Sequence, residues 1–101
     1  MFDKLMQAQQ KAEEVKQLLN TISVVGEAEG GKIRVTATGN KLIKSIEIAP
    51  DFLASADKEE LEDLLTVAVN KALEQAENVS QSEMQSATKD MLGGFGGMFG
   101  M

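Results

Sequence analysis

Residues 23–49 read SVVGEAEGGKIRVTATGNKLIKSIEIA, and the alternation of apolar and polar side chains within this stretch decides the fold. A period of two over this length predicts three β-strands. The pairs Gly30-Gly31 and Gly39-Asn40 separate the three strands, and both pairs are typical of two-residue hairpin turns. Because both connections are short, the strands should form an antiparallel meander.

Two tight turns would also set the register of the sheet. Gly26 then faces Val35 in the first hairpin, and Ile33 faces Ile46 in the second, on the side that we expect to be buried. The outer side would carry a ladder of charged and polar pairs: Lys32 opposite Glu29 and Glu47, and Arg34 opposite Glu27 and Ser45. Such exposed pairs contribute only tenths of a kcal/mol each, roughly, but they neutralise the face. We therefore interpret this face as a solvated charge ladder and not as a nucleic-acid site.

Lys44 does not fit this simple register, because it would lie on the Ile46 side, opposite Val35. Its side chain must then extend past a sheet edge or be turned outward by a bulge near Ile43. Lys44 and Lys41 are therefore candidates for contact with DNA.

Upstream of the strands, apolar residues recur at spacings of three and four from Leu5 to Ile22 and predict a helix over residues 2–21. Lys4, Gln7 and Lys11 form a polar stripe beside this seam. The stripe could meet phosphates, and a simply solvated helix face is the alternative.

Downstream of the strands, Pro50 should end the third strand and open a single helical turn. We expect Phe52 and Leu53 in that turn to pack against the sheet. Asp57, followed three residues later by Glu60, then resembles a capping box, so a long helix should start near Lys58. Its pattern weakens at NVSQSEMQ, residues 78–85, where a bend is possible, and resumes beyond it.

The expected fold is therefore α+β, with a helix, a three-stranded antiparallel meander, a short helical turn and a long C-terminal helix. We expect one domain over residues 1–92 and a flexible tail, GGFGGMFGM, over residues 93–101. Both long helices would overhang strands of about seven residues, since the helices reach roughly 30 and 50 Å and a strand only about 23 Å. Apolar seams on overhanging helices need cover, which favours a homodimer.

Composition excludes several classes of function. The 101 residues contain no cysteine and no histidine, which argues against disulfides, thiolate metal sites and histidine acid–base catalysis, so we expect neither an enzyme nor a metal or other cofactor. No apolar run approaches the roughly 20 residues that a membrane span needs, and no secretion signal precedes the fold, so a cytoplasmic location is expected. The acidic cluster at residues 57–63 is better explained by the dipole of the long helix than by a magnesium site.

The sequence resembles the YbaB/EbfC nucleoid-associated proteins of bacteria over nearly its whole length. The residues that carry the resemblance are LMQAQQKAEE near the start, VVGEAEGGKIRVTATGN in the middle, IEIAPDFL after it, and DKEELEDLLTVAVNKALE in the long helix. The resemblance implies a homodimer with the sheets at its centre and paired helices projecting like the arms of tweezers. It also implies DNA binding with little sequence preference and a role in nucleoid organisation or gene regulation.

By position, the resemblance places DNA contacts at the arm tips, on Lys4, Gln7 and Lys11 of the first helix and on Lys89 of the last. The net charge of −6 per chain means that a dimer would carry −12, so we expect weak, salt-sensitive binding to double-stranded DNA. The alternative is a protein-interaction module that presents acidic helices or the tail to a partner in DNA repair or to another protein.

Overall fold

A computed structural model describes the backbone of residues 2–93 and the side chains of residues 3–89. The predicted order of elements is confirmed. It is α1 (Phe2–Thr21), β1 (Ser23–Ala28), a 3-10 turn (Glu29–Gly31), β2 (Ile33–Thr38), β3 (Ile43–Ile48), α2 (Pro50–Ser55) and α3 (Lys58–Gly93). The three strands form one antiparallel sheet in the order β1-β2-β3. The predicted tail lies outside the described residues, apart from Gly93 at the end of α3.

The first hairpin has the register that the sequence predicts. Gly26 pairs with Val35, and Ala28 pairs with Ile33. Gly30 and Gly31 have φ angles of 64° and 91°, in the left-handed region that glycine enters without steric cost. Lys32 donates its backbone N–H to the Glu29 carbonyl at 3.2 Å, and Glu29 also has a positive φ, of 53°. The connection therefore comprises residues 29–32 and not the two predicted residues, although the register of the strands is as predicted.

The predicted register of the second hairpin is wrong. Lys41 donates its backbone N–H to the Thr38 carbonyl at 2.9 Å and itself has a φ of 70°. The turn therefore contains three residues, Gly39, Asn40 and Lys41, the last in the left-handed conformation that ends the common three-residue hairpin loop. This extra residue moves β3 by one position relative to β2.

A second shift follows within the strands and restores the predicted faces. Ala37 pairs with Ile43, whereas the next residue back, Thr36, pairs with Ser45, so Lys44 is the extra residue of a β-bulge. Two shifts of one residue each leave Ile46 on its predicted side, now opposite Val35. Because side chains alternate along a strand, a single shift would have turned β3 over.

The outer face is only partly the charge ladder that we expected. The Arg34 guanidinium lies 3.8 Å from a carboxylate oxygen of Glu27 on β1, as predicted. On β3, however, the residue opposite Arg34 is Glu47 and not the predicted Ser45. Lys32 lies in the turn, outside the ladder, with its Nζ 5.8 Å from the centre of the Phe52 ring. The ring and the ammonium are close enough for a cation–π contact.

The main core lies between α3 and the inner face of β1 and β2. Ile33 and Val35 of β2 are fully buried, and Ala68 and Ala72 of α3 pack against them in the same cluster. Phe52 is buried there as predicted, but Leu53 is 52% exposed, so the expectation that it packs on the sheet is wrong. Within α2 the two neighbours point in different directions, and only Phe52 faces the sheet.

The long helix begins where the sequence predicts and continues without interruption. The Asp57 carboxylate accepts the backbone N–H of Glu60 at 2.8 Å and caps the first turn. The helix then runs 36 residues, through the polar stretch at residues 78–85. The packing of side chains against α1 holds this distal part, since Ala87 is buried against Val15 and Leu19.

The helices α1 and α3 pack as an antiparallel pair that extends beyond the sheet. Ile22, at the end of α1, lies in the same cluster as Val79, whereas Val15 meets Ala87, farther along α3. Only the C-terminal half of the α1 seam is buried: Leu5, near its start, is 62% exposed. The pair gives the chain its elongated form, with extents of 63 × 25 × 17 Å. We call residues 2–11 of α1 and residues 78–89 of α3 the distal arm.

Candidate nucleic-acid interface

The distal arm brings together four of the six residues that the sequence singled out for DNA contact. Lys11 lines a groove between the two helices with Ser86 and Ala87 of α3. Because the helices are antiparallel, Lys4 and Gln7 lie farther out on α1 and Lys89 lies farther out on α3. Lys4, Gln7 and Lys89 are all exposed.

Lys11 is held in place within this seam. Its Nζ lies 3.7 Å from an oxygen of Glu14, one turn along α1, and its side chain is partly covered. An ion pair this exposed contributes little to stability and is screened by salt. The contact is therefore weak, and Lys11 remains near the surface of the arm.

Lys41 is placed elsewhere, at the root of the arm. Its ammonium forms an ion pair with Glu77 of α3, whose other carboxylate oxygen accepts a hydrogen bond from Gln81 at 3.1 Å. The hydrogen bond from Lys41, then that from Gln81, lowers the pKa of Glu77 below its ordinary value. The positive charge of Lys41 is thus offset within the chain.

Lys44 also lies at the root of the arm and not at its tip. As the bulged residue it is turned to the outer face, where its Nζ donates to Ser23 Oγ at 3.1 Å. This outcome matches the predicted alternative of a bulge close to Ile43. Lys41 and Lys44 therefore do not join the lysines of the distal arm: from Glu77 to Lys89 alone, α3 rises about 18 Å.

The loop that carries Lys41 is anchored by a residue that the sequence analysis did not single out. The Asn40 side-chain amide donates to the Lys16 carbonyl at 2.8 Å and to Asn20 Oδ1 at 2.6 Å. Gly39 adds a backbone hydrogen bond to the Leu19 carbonyl at 3.0 Å. These contacts fix the sheet to the last turn of α1. A Gly-Asn pair signals a turn but says nothing of such partners, so the sequence held no sign of this role.

Charge is distributed unevenly along α3. Residues 57–77, which we call the proximal segment, contain seven acidic and two basic residues and carry a net charge of −5. Residues 78–89 contain only Glu83 and Lys89 and are neutral. The distal part is instead rich in hydroxyl and amide side chains, so a polyanion meets far less repulsion there than along the proximal segment.

No group of three or more potential ligands within the described residues is arranged to hold a metal ion. Within the same part of the chain, no helix is both long and apolar enough to span a membrane.

Comparisons with known proteins identify close relatives. A model of the YbaB/EbfC DNA-binding family matches residues 1–91. A nucleoid-associated protein of Chlorobium phaeobacteroides strain BS1 is 39% identical over 94 residues, covering 93% of this chain and 83% of the relative. One from Flavobacterium johnsoniae is 37% identical, with 88% and 82% covered.

A solved structure has the same fold. It is that of an uncharacterized protein from Helicobacter pylori, which superposes with a TM-score of 0.66 over 77% of this chain and 90% of the other. The two sequences are 18% identical, so the likeness concerns the fold alone.

Proposed function

This chain belongs to the YbaB/EbfC DNA-binding family, and on that premise we propose that it is a dimeric nucleoid-associated protein that binds double-stranded DNA through its distal arms. Binding has little sequence specificity and serves nucleoid organisation or gene regulation in a bacterial cell. The distal arm does not carry the set of arginine and asparagine side chains typical of direct base recognition. Contacts to the DNA backbone position a protein without reading sequence.

The observation that carries the proposal is the position of Lys4, Gln7, Lys11 and Lys89 around the end of one antiparallel helix pair. Electrostatics favour the same end, because the proximal segment at −5 repels DNA and residues 78–89 are neutral. Each arm has only a few lysines, so the affinity for DNA is low. The affinity falls further as the salt concentration rises, because counterion release then favours binding less.

Homodimerisation is supported by the exposed apolar surface of β3. Ile46 pairs with the fully buried Val35 but is itself 45% exposed, because α3 lies over β1 and β2. Leu42 and Ile43, at the start of the same edge strand, are exposed as well. An uncovered apolar edge strand invites association, and a second copy of the chain presents the same surface for closure by a two-fold axis.

The first experiment is fluorescence anisotropy of a labelled random-sequence duplex titrated with the protein at low and at physiological salt. G·C-rich and A·T-rich duplexes are titrated in parallel. The proposal predicts micromolar or tighter binding that weakens with salt and varies little among the three duplexes. Absence of binding even at low salt would favour the alternative, a module that presents its acidic helices to a protein partner such as one in DNA repair.

Two charge-reversal variants then locate the site. K4E/K11E should abolish binding, because it replaces two cations of the distal arm with anions. K58E/K71E makes the same change of charge in the proximal segment and should bind at physiological salt as the wild type does. If K4E/K11E binds DNA unchanged, the arm assignment is wrong even though the protein binds DNA.

A further inference from the structure

The outward face of distal α3 carries three neutral hydrogen-bond donors and a lysine. Gln85, Ser86 and Lys89 lie three, four and seven residues after Ser82, so all four share one side of the helix. All four are exposed and line one open groove on that side. The opposite side of the helix, with Ala87, is buried against α1.

Three of these side chains form no hydrogen bond with the residues that the structure describes. Thr88 donates its hydroxyl to the Met84 carbonyl at 2.9 Å, and Gln81 donates to Glu77. By contrast, Ser82, Gln85 and Ser86 make no side-chain hydrogen bond within the described residues. All three side chains are exposed, so their donor groups are accessible to a ligand.

Their placement connects the lysines of the two helices. Ser86 lines the groove on the outer side of α3 and also the seam in which Lys11 of α1 lies. Lys89 lies at the C-terminal end of the row and lines the same outer groove. From Ser82 to Lys89 the helix rises about 10 Å, which matches the rise along the DNA axis of about three phosphates of one strand, at 3.4 Å each.

We propose that Ser82, Gln85 and Ser86 bind phosphate oxygens of the DNA backbone by neutral hydrogen bonds, between the charged contacts of Lys11 and Lys89. The inference rests on the proposed function and deepens it by naming the groups that an acidic protein uses in place of additional cations. Serine and glutamine side chains are regular donors to DNA phosphates. A neutral donor releases no condensed counterion, so its contribution to affinity does not depend on salt in the way that a lysine contribution does.

Salt dependence therefore separates this proposal from a purely cationic interface. The test titrates a labelled random-sequence duplex with wild type, S82A/Q85A/S86A and K89A at several salt concentrations. Removing three neutral hydrogen bonds should weaken binding about tenfold or more. The loss should be equal at every salt concentration, so the slope of log K against log salt stays that of the wild type. For K89A the slope should become shallower by about 0.9, the value for one phosphate contact.

A control of the same chemistry lies in the proximal segment. N70A/Q75A removes two exposed amides there and should leave affinity and slope unchanged. All substitutions introduce alanine, the strongest helix former, so circular dichroism should show the triple variant folded. Two outcomes would overturn the inference and leave the proposed function standing, provided that the wild type binds DNA. In the first, the triple variant has the affinity of the wild type. In the second, its slope of log K against log salt differs from that of the wild type. No wild-type binding at low salt overturns both.

Discussion

A Cβ atom on Gly26 would lie 2.3 Å from the backbone nitrogen of Ala72 and equally close to the carbonyl oxygen of Ala68. The strand β1 thus packs directly against the backbone of α3, with no side chain between them at this position. Any side chain at Gly26 would have to push the strand and the helix apart.

We therefore predict that Gly26→Ala destabilises the fold by about 3 kcal/mol, at the upper end of what overpacking costs, since backbone cannot rotate away as a side chain can. Chemical denaturation monitored by circular dichroism measures the change. Val25→Ala on the exposed face of the same strand is the control and should cost no more than about 1 kcal/mol. Because the clash is with backbone, Ala72→Gly should not rescue Gly26→Ala, and a rescue would show that the contact is looser than described.

The second prediction concerns the ion pair at the root of the arm. Lys41 and Gln81 favour the charged form of Glu77, so NMR titration should find the pKa of this carboxyl below the ordinary glutamate value of 4.5. In Lys41→Met the pKa should rise toward that value, because the first and largest cause is removed. The pKa of Glu77 is lower in the folded state than in the unfolded state, so the ion pair contributes fully to the free energy of unfolding at pH values above the unfolded-state pKa. That contribution is lost as pH falls through the folded pKa. An unchanged Glu77 titration in Lys41→Met would contradict the pairing.

The third prediction tests the edge strand as a dimer surface. Ile46→Lys should convert the proposed dimer to a folded monomer, since an ammonium cannot be buried in an apolar interface without a partner. Sedimentation velocity gives the oligomeric state, and circular dichroism checks the fold. Val25→Lys places the same charge on the other face of the sheet and should remain dimeric. If Val25→Lys dissociates the dimer and Ile46→Lys does not, the copies meet through the outer face.

The fourth prediction uses distance to locate bound DNA. Glu62 lies about 35 Å from Gln85 along α3, roughly four Debye lengths at physiological ionic strength. Removing two negative charges from the proximal segment with E59Q/E62Q should therefore change affinity less than twofold at that salt concentration, in the same anisotropy assay. A large gain in affinity would place the DNA along the proximal segment instead of at the arm tips.

The period of the apolar residues and the identity of the turn residues were sufficient to predict the order of elements and the register of the first hairpin. Both features depend on residues that are neighbours in the chain. The start of α3 was likewise legible, since Asp57 caps it through a contact three residues away. The second hairpin was not, because Gly39-Asn40 is compatible with both two- and three-residue loops. The hydrogen bonds of Asn40 and Gly39 to α1 accompany the longer one.

The candidate site divides in the same manner. The sequence by itself determined the helical stripes, the neutral composition of distal α3 and the family to which the chain belongs, since these are properties of residues along one element. Only the tertiary structure decided that Lys11 lies beside Ser86 and that Lys41 is paired with Glu77. Those neighbours come from helices and loops far apart in sequence, and they meet because α1, α3 and the sheet pack together. Packing between distant elements depends on side chains from the whole core, and no local pattern of residues encodes it.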